Sequence, residues 1–545
     1  MDYQAKRFAY KRCADHGAES PVCHSVVIVG AGPVGMTLAL DLAQQNIPVV
    51  VLDDDNKLSA GSRAICFAKR TLEIWDRLGV GDAMIAKGVS WNVGKVFFRD
   101  APVYSFDLLG EEFHRRPAFI NLQQYYAEGF LSDAVAQTPQ IDVRWLSRVV
   151  DVANNIDNVT LTVETPDGTY AINADYVVAC DGSRSTVRKL LGLESKGQTF
   201  RDRFLIADVK MTAPFPSERW FWFDPPFHPD QSVLLHRQPD NVWRIDFQLG
   251  WEADPDEEKK PERVRRRVQA LLGPEAEFEF EWISVYSFAC VRMERFRHGR
   301  VLFAGDSAHL VSPFGARGAN SGIQDADNLG WKLGLVMHGD APDTLLDSYA
   351  AEREYAADEN ILNSTRATDF ITPKSEISRM FRDAVLELAK DHPFARKLVN
   401  SGRLSVPSML HSSLLNTLDV DGFAGTMVPG AAALDAPVVI DGRQAWFLGV
   451  LKAGEFKVVV LRSDGQLQIS PVPQSPEHAC ASQPSFRKGG EQIVASPTWV
   501  ARYDARPGTS YLFRPDQHVC ARWRTYDEQA VLAAVARASG RTQQT

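Results

Sequence analysis

The chain has 545 residues, 45% hydrophobic and 24% charged, a composition ordinary for globular proteins; its length suggests about two to four domains. A formal net charge of −9 argues against nucleic acid as a main partner. Seven scattered cysteines with no CxxC pair, a polar N-terminus and no apolar run of about 20 residues argue against a zinc site, a secretory signal and a membrane span, so a soluble cytoplasmic protein with reduced thiols is expected.

Residues 1–25 read as a flexible leader. "HSVVIVGAGPVGMTLALDLAQQNIPVVVLDDD" (24–55) then carries the most information. A buried apolar strand leads into Gly30, Gly32 and Gly35 in GxGxxG spacing, a helix runs to about Gln45, and a second strand ends at Asp53. The glycines serve a tight turn, close approach of backbone to a pyrophosphate, and close helix–strand packing. The helix N-terminus offers unpaired N–H groups to phosphates, and Asp53 can accept from ribose hydroxyls. This motif does not by itself separate FAD from NAD.

Two later stretches bear on that choice. "DYVVACDGSRSTVRKLLG" (175–192) delivers Asp181–Gly182 from an apolar strand, followed by Ser185 and Arg188. "GRVLFAGDSAHLVSPFGARGANSGIQDADNLGWKL" (299–333) delivers Gly305–Asp306, then a loop with Pro313, Gly315 and Gly318, then a helix from about Asn320. A carboxylate at the end of such a strand suits a polyol. A helix N-terminus beside a glycine-rich loop suits the N1–C2=O edge of a reduced flavin.

Between about 200 and 296 the texture changes to alternating strands: "RFLIADVKM", "RWFWFD", "SVLLHRQ", "VWRIDFQLG" and "EWISVYSF". Alternation puts Arg244, Asp246 and Gln248 on one face of their strand. In the last strand it puts Trp282, Ser284, Tyr286 and Phe288 on one face. "KKPERVRRRVQALLG" (259–273) reads as an amphipathic helix between Pro261 and Gly273, its arginines a solvated face. After Trp331 the chain reads helical to about 400. A polar connection follows to about 425, then strands and turns, a loop at 474–492, and a final helix.

The three motifs together resemble the FAD-dependent aromatic hydroxylases of the para-hydroxybenzoate hydroxylase and phenol hydroxylase family. Within that family the chain resembles 3-(3-hydroxyphenyl)propionate hydroxylase-like enzymes. Arg63 resembles the family's FAD-contacting arginine, and Gln124 with Glu128 its Q-x-x-x-E helix start. The resemblance implies an α/β fold. A Rossmann-like FAD-binding domain (26–199 and 297–400) would carry an inserted β-sheet substrate domain (200–296), a helical segment, a linker (401–425) and a thioredoxin-like C-terminal domain (426–540) with no redox motif at Cys480 or Cys520. It also implies FAD as cofactor, NADH or NADPH docking transiently, O2 adding at flavin C4a, and hydroxylation of a small phenolic substrate by the flavin hydroperoxide. A homodimer is the family habit.

The family often writes the strand at 244 as R-x-Y-x-Q, with the arginine near the flavin and the tyrosine on the substrate. Here Asp246 takes the tyrosine's place. Either Asp246 is the base that makes the phenol electron-rich, or holds the phenol for one, with Arg244 on the flavin, or Arg244 and Asp246 form a structural ion pair. The carboxylate that phenol hydroxylases place before R-T-L-E is missing from "RAICFAK" (63–69), which leaves Asp246, His236 or Tyr286 for the role. Trp222, Gln248 and Phe288 are expected to line the substrate pocket, and Pro313 with the 315–320 loop to shape the flavin's reactive side. Other readings are an oxygenase of larger polyketide-like phenols, a flavin oxidase or dehydrogenase, and an FAD-binding protein without turnover.

Overall fold

The computed structural model describes residues 3–61, 64–213, 215–399, 404–451, 454–473 and 492–542. Arg63, Cys480 and the loop expected at 474–492, save its last residue, lie outside the described residues.

The first layer is a sheet whose parallel core runs Val301–Phe303, Gly168–Ala179, Val22–Val29, Val49–Leu52, Ile141–Arg144. Val26–Val29 and Val49–Leu52 are buried on both faces, the pattern of a parallel strand covered on both sides. Helices Pro33–Gln44 and Gly318–Met337 pack together on this sheet. The first helix begins with Pro33, whose missing N–H costs nothing in the first turn.

The second layer is an eight-stranded sheet in the order His309–Leu310, Glu279–Met293, Ser195–Lys210, Val242–Leu249, Ser232–Arg237, Arg219–Phe223, Val93–Phe98, Ala101–Asp107. The inserted sheet is therefore not confined to 200–296. Val93–Phe98 joins it from the assigned FAD-binding segment, pairing parallel to Arg219–Phe223, because Val96 and Phe98 find their cover in the same apolar cluster as Phe221 and Phe223. The expected amphipathic helix spans Pro261–Leu272 and lays Val264 and Val268 on the sheet's outer face.

Two further expectations are corrected. The leader is packed: Tyr3 is buried and donates to Asp133 at 2.5 Å, Phe8 stacks on Trp145 at 4.0 Å between centroids, and Asp15 receives Arg144 at 2.7 Å. Its aromatic and charged residues lack the periodicity of an element but not the means to dock. The linker is packed as well. Leu404 is buried beside Ile65 and Trp91, and the Ser405 N–H donates to the Gly315 carbonyl at 2.8 Å.

The C-terminal unit is a seven-stranded sheet in which every pairing is antiparallel among the described residues. Helices Pro497–Arg502 and Glu528–Ala538 accompany it. It is tied to helix Leu345–Ile371 by Arg514, which donates to Glu352 at 2.7 Å and 3.1 Å, both residues buried. No helix is long and apolar enough to cross a membrane among the described residues.

Candidate active site

One cavity of about 930 Å3 runs from Asp53 and Gly32 in the first layer to Asp246 and Tyr286 under the second sheet. That volume lies near the upper end of the roughly 300–1,000 Å3 usual for small-molecule sites. Its two ends are built differently.

At the first end, Gly30 has φ +108°, and a Cβ there would come within 2.5 Å of the Cys180 carbonyl oxygen. A Cβ on Gly35 would lie 2.0 Å from the Gly30 carbonyl oxygen. These two glycines let the turn, the helix and the strand ending at Ala179 cross closely. Gly32 is different: a Cβ there meets nothing within 4 Å, so it would project into the open cradle before the helix N-terminus. The Asp53 carboxylate fixes the turn by accepting from the Ala31 N–H at 2.6 Å, and burial pushes its pKa up to about 6.

The other two motifs meet here. Ser185 caps the helix Thr186–Leu190, and Asp181 accepts from the Val187 N–H at 3.0 Å. Arg188 donates to the Ser307 carbonyl at 2.6 Å, locking the Asp181–Gly182 turn to the Gly305–Asp306 turn. Behind that turn, Asp325 accepts from the Gly305 N–H at 2.9 Å, and His309 and Arg353 bind it at 2.7 and 2.6 Å. Burial alone would raise its pKa, but these two partners hold it at about 2. The 20-residue helix Gly318–Met337 starts at the cavity wall with Gly318, Ala319 and Asn320. The open cradle at Gly32, two helix N-termini facing one cavity, and the Asp53, Asp181 and Asp306 carboxylates along its wall fit a flavin dinucleotide with its pyrophosphate at Gly32. When bound, FAD supplies the redox centre.

The far end is roofed by cross-strand rows of the second sheet. In one row His236 faces Arg244, Arg244 faces Asp208, and Asp208 faces Trp282. In the next, Phe221 faces Leu234, Leu234 faces Asp246, Asp246 faces Ile206, and Ile206 faces Ser284. In the third, Gln248 faces Phe204 and Phe204 faces Tyr286. The period of two thus turns one face of each strand towards the cavity.

The expected alternative of an Arg244–Asp246 ion pair is not what forms. Arg244 donates to Asp208 from Nε at 2.8 Å and Nη2 at 2.7 Å, a two-point contact between buried groups. Asp246 is left as a buried carboxylate whose side chain accepts no hydrogen bond among the described residues. Burial pushes its pKa up to about 7; Asp208 adds to this, while Arg244 and Arg219 oppose it. Tyr286 also lines the cavity, but burial and the nearby Asp246 raise its pKa well above that of a free phenol, so it holds its proton. His236 is held well below the usual histidine range by burial and by Arg219 and Arg244, so it is neutral.

Phe288 and Pro313 line the cavity as expected, and so does Gln124, which accepts from the Ala64 N–H at 3.1 Å and donates to Glu128 at 2.8 Å. Two expected pocket residues do not line it. Trp222 points to the opposite face of its strand and stacks on Phe97 at 5.1 Å, leaving Phe221 on the cavity side. Gln248 shares Asp246's face but lies beyond the cavity's end, where its Oε1 accepts from the Ser232 N–H at 3.0 Å. Gly35, Gly305 and Gly315 stand behind the wall and not in it. Gly315, at φ +92°, shapes the loop. The Asn320 side chain is used within the protein, accepting from Ala68 N–H and Thr71 Oγ1 at 2.8 and 2.7 Å and donating to the Cys66 carbonyl at 2.9 Å. It positions the loop and the 66–71 segment.

Sequence reasoning missed Asp208, Arg219, Asp325 and Phe204. Asp208 carried a signal, since alternation in "RFLIADVKM" puts an acid on one face of an apolar strand. The others had none at the level of one segment.

Residues 24–364 match the family described as FAD binding domain. The 3-(3-hydroxy-phenyl)propionate/3-hydroxycinnamic acid hydroxylase of Mycolicibacterium smegmatis is 29% identical over 388 residues, covering 70% of this chain and 67% of the relative. A probable NADH-specific resorcinol 4-hydroxylase of Rhodococcus jostii is 33% identical over 333 residues, covering 60% of this chain and 62% of the relative. The crystal structure of the flavin-dependent monooxygenase PieE, in complex with FAD and substrate, superposes with a TM-score of 0.79 at 20% identity, covering 96% of this chain and all of that one, and so shows the fold. On the matched family and these relatives, the chain belongs to the FAD-dependent aromatic hydroxylases, the group A flavoprotein monooxygenases, and is a flavin-dependent aromatic monooxygenase.

Proposed function

We propose that the protein hydroxylates a small phenolic ring, using NADH or NADPH and O2, with Asp246 as the base that takes the phenolic proton. The observation that carries this is the Asp246 carboxylate: buried in the cavity wall, without a hydrogen-bond partner among the described residues, and raised to about 7. A base near neutral pKa combines the right charge state with real affinity for the proton. An aromatic ring attacked by an electrophilic oxygen must be electron-rich, and deprotonation of its hydroxyl makes it so. Neutral His236 and protonated Tyr286 flank the position as hydrogen-bonding groups. Phe204, Phe221, Phe288 and Phe314 supply apolar walls that exclude water. Arg244, fixed by Asp208, keeps a positive charge at the roof. The dependence on NADH over NADPH is supported only by the resorcinol hydroxylase relative. For residues 426–540 we infer a structural module; the sheet with accompanying helices is compatible with a thioredoxin-like origin, although the parallel pair of such a fold is not among the described residues.

The test is substrate-stimulated oxidation of NADH and NADPH across a panel of phenols, with peroxide release and incorporation of labelled oxygen followed together. One labelled oxygen atom per coupled turnover of a small phenol is the expected result. Oxidation with stoichiometric peroxide and no labelled product would assign an oxidase, and stimulation by polycyclic phenols alone would move the substrate to that class.

A further inference from the structure

The loop 313–320 in the cavity wall holds an unusual backbone. Gly315 has φ +92° and Ala316 φ +53°. The second value lies in the left-handed region, which a residue with a Cβ adopts rarely and keeps only where its surroundings over-determine it. The surroundings here do so. The Ala316 N–H donates to the Pro313 carbonyl at 3.1 Å, and Asn320 Nδ2 donates to the Ala316 carbonyl at 2.6 Å. The Gly315 carbonyl accepts from the Ser405 N–H at 2.8 Å, a donor from the linker to the C-terminal unit. Leu404, 2% exposed, packs in one apolar cluster with Ile65, Cys66 and Ala316, all three of which line the cavity. Leu404 and Ser405 do not line it themselves; they back its wall.

The rest of the linker is fastened to the C-terminal unit. The Leu410 N–H donates to the Gly430 carbonyl at 2.9 Å, the Thr417 N–H to the Cys520 carbonyl at 2.8 Å, and Arg522 Nη2 to Asp419 at 2.6 Å. A second tether runs from the same unit. Arg70 donates to the Asp516 carbonyl at 2.6 Å and to Gln517 Oε1 at 3.3 Å. Arg70 stands between Ala68 and Thr71, which donate to Asn320 Oδ1 at 2.8 and 2.7 Å. Both tethers thus end on the groups that fix Asn320 and the Gly315–Ala316 peptide.

We propose that the C-terminal unit and its linker are positioning machinery for the flavin: Leu404 and Ser405 are positioning residues that hold the 313–320 loop in its strained shape, and with it the start of helix Gly318–Met337 against the flavin ring. This rests on the reading that FAD lies with its ring on that loop. A reduced flavin gathers negative charge at its N1–C2=O edge, and helix N–H groups stabilise that charge fully only when they are aimed before it forms. Relaxation of Ala316 out of the left-handed region would turn the loop and the helix start away from that aim. The linker donor and the Leu404 side chain oppose the relaxation from outside the cavity, where they leave the flavin's space clear. The C-terminal unit therefore acts on the flavin without touching it.

The test uses the full chain, with and without FAD, and two variants. Ser405→Pro removes the linker's N–H donor; Leu404→Ala removes the packing and keeps the donor. Hydrogen–deuterium exchange is read over 313–320, and the midpoint potential is read on the bound FAD. In the apoprotein each variant should exchange the loop amides about three- to tenfold faster than wild type, the scale of one backbone hydrogen bond, while strand Val22–Val29 exchanges as before. In the loaded protein FAD should be retained and its potential should fall, because the reduced form loses its stabilising N–H groups. If Ser405→Pro does not fold, Leu404→Ala carries the test alone. Unchanged loop exchange in a folded variant overturns the proposal. Faster exchange with an unchanged FAD potential overturns it as well, since the linker would then be a stitch with no bearing on the flavin. The reading beneath it fails in a different measurement: FAD that leaves the wild-type exchange of 313–320 unaltered does not lie on that loop, and the proposal falls with it.

Discussion

Arg244 is bound by Asp208 of the neighbouring strand, at 2.8 and 2.7 Å, and not by Asp246 two residues along its own strand. Side chains two apart on one strand point the same way without meeting well, whereas directly opposite residues on paired strands are neighbours. Asp208 therefore consumes the arginine and leaves Asp246 free to act on a ligand.

Asp208→Asn removes the carboxylate that accepts from two nitrogens of buried Arg244, and breaking such a pair costs about 3–5 kcal/mol. Urea unfolding should show a lower midpoint at unchanged slope. A midpoint equal to wild type would mean that Arg244 finds another partner.

Asp246 sets the pH dependence of the reaction. As the base it works ionised, so kcat/KM should be low under pH 6 and rise through about 7. Asp246→Asn should lose that limb and fall by about 10²–10⁴-fold, the usual contribution of a positioned base. A retained limb in the variant would assign it to another group.

The same carboxylate makes a stability prediction of definite sign. Its pKa is raised on folding, from a usual value of 3.8 to about 7, so the native state holds the proton more tightly than the unfolded chain. Whatever stability this brings is complete below the unfolded value and is lost as pH rises through about 7. Asp246→Asn carries no such titration. Its melting temperature relative to wild type should therefore climb from pH 4 to pH 7 and level off above. A difference independent of pH would show that the carboxyl titrates normally.

Two glycines of one motif should fail differently. Gly35→Ala drives a Cβ to 2.0 Å from backbone oxygen and should destabilise the apoprotein itself. Gly32→Ala meets no protein atom within 4 Å, so the apoprotein should melt as wild type while FAD retention on gel filtration drops. Equal melting of both apoproteins would contradict the packing role of Gly35.

Adjacent aromatics on strand Arg219–Phe223 offer a control on the roof. Phe221→Ala enlarges the cavity wall and should weaken phenol binding, by several-fold or more for a buried ring of this size. Trp222→Phe should leave phenol binding unchanged, because its side chain lies on the sheet's other face.

Much of this protein was legible one segment at a time. The GxGxxG turn reads locally because backbone crossing, helix start and acid all fall within 24–55; the structure puts Gly30 and Gly35 at the close crossings expected of them, while the Asp53 carboxylate accepts from the Ala31 N–H. The Asp181 and Gly305–Asp306 turns, and the helix between Pro261 and Gly273, are local in the same sense. The leader was misread because docking of Tyr3 on Asp133 and Phe8 on Trp145 depends on surfaces more than a hundred residues away.

By itself the sequence determined the order of elements, the dinucleotide cradle and which faces of the roof strands carry charge, since turn chemistry and residue periodicity act within a few residues. Tertiary structure decided who meets whom. It paired Arg244 with Asp208, turned Trp222 away from the cavity, closed Gln248 on the Ser232 backbone, and left Asp246 unanswered in the cavity wall. Those outcomes depend on strand order and register across the sheet, and a buried charge takes its meaning from the partner that register places opposite it.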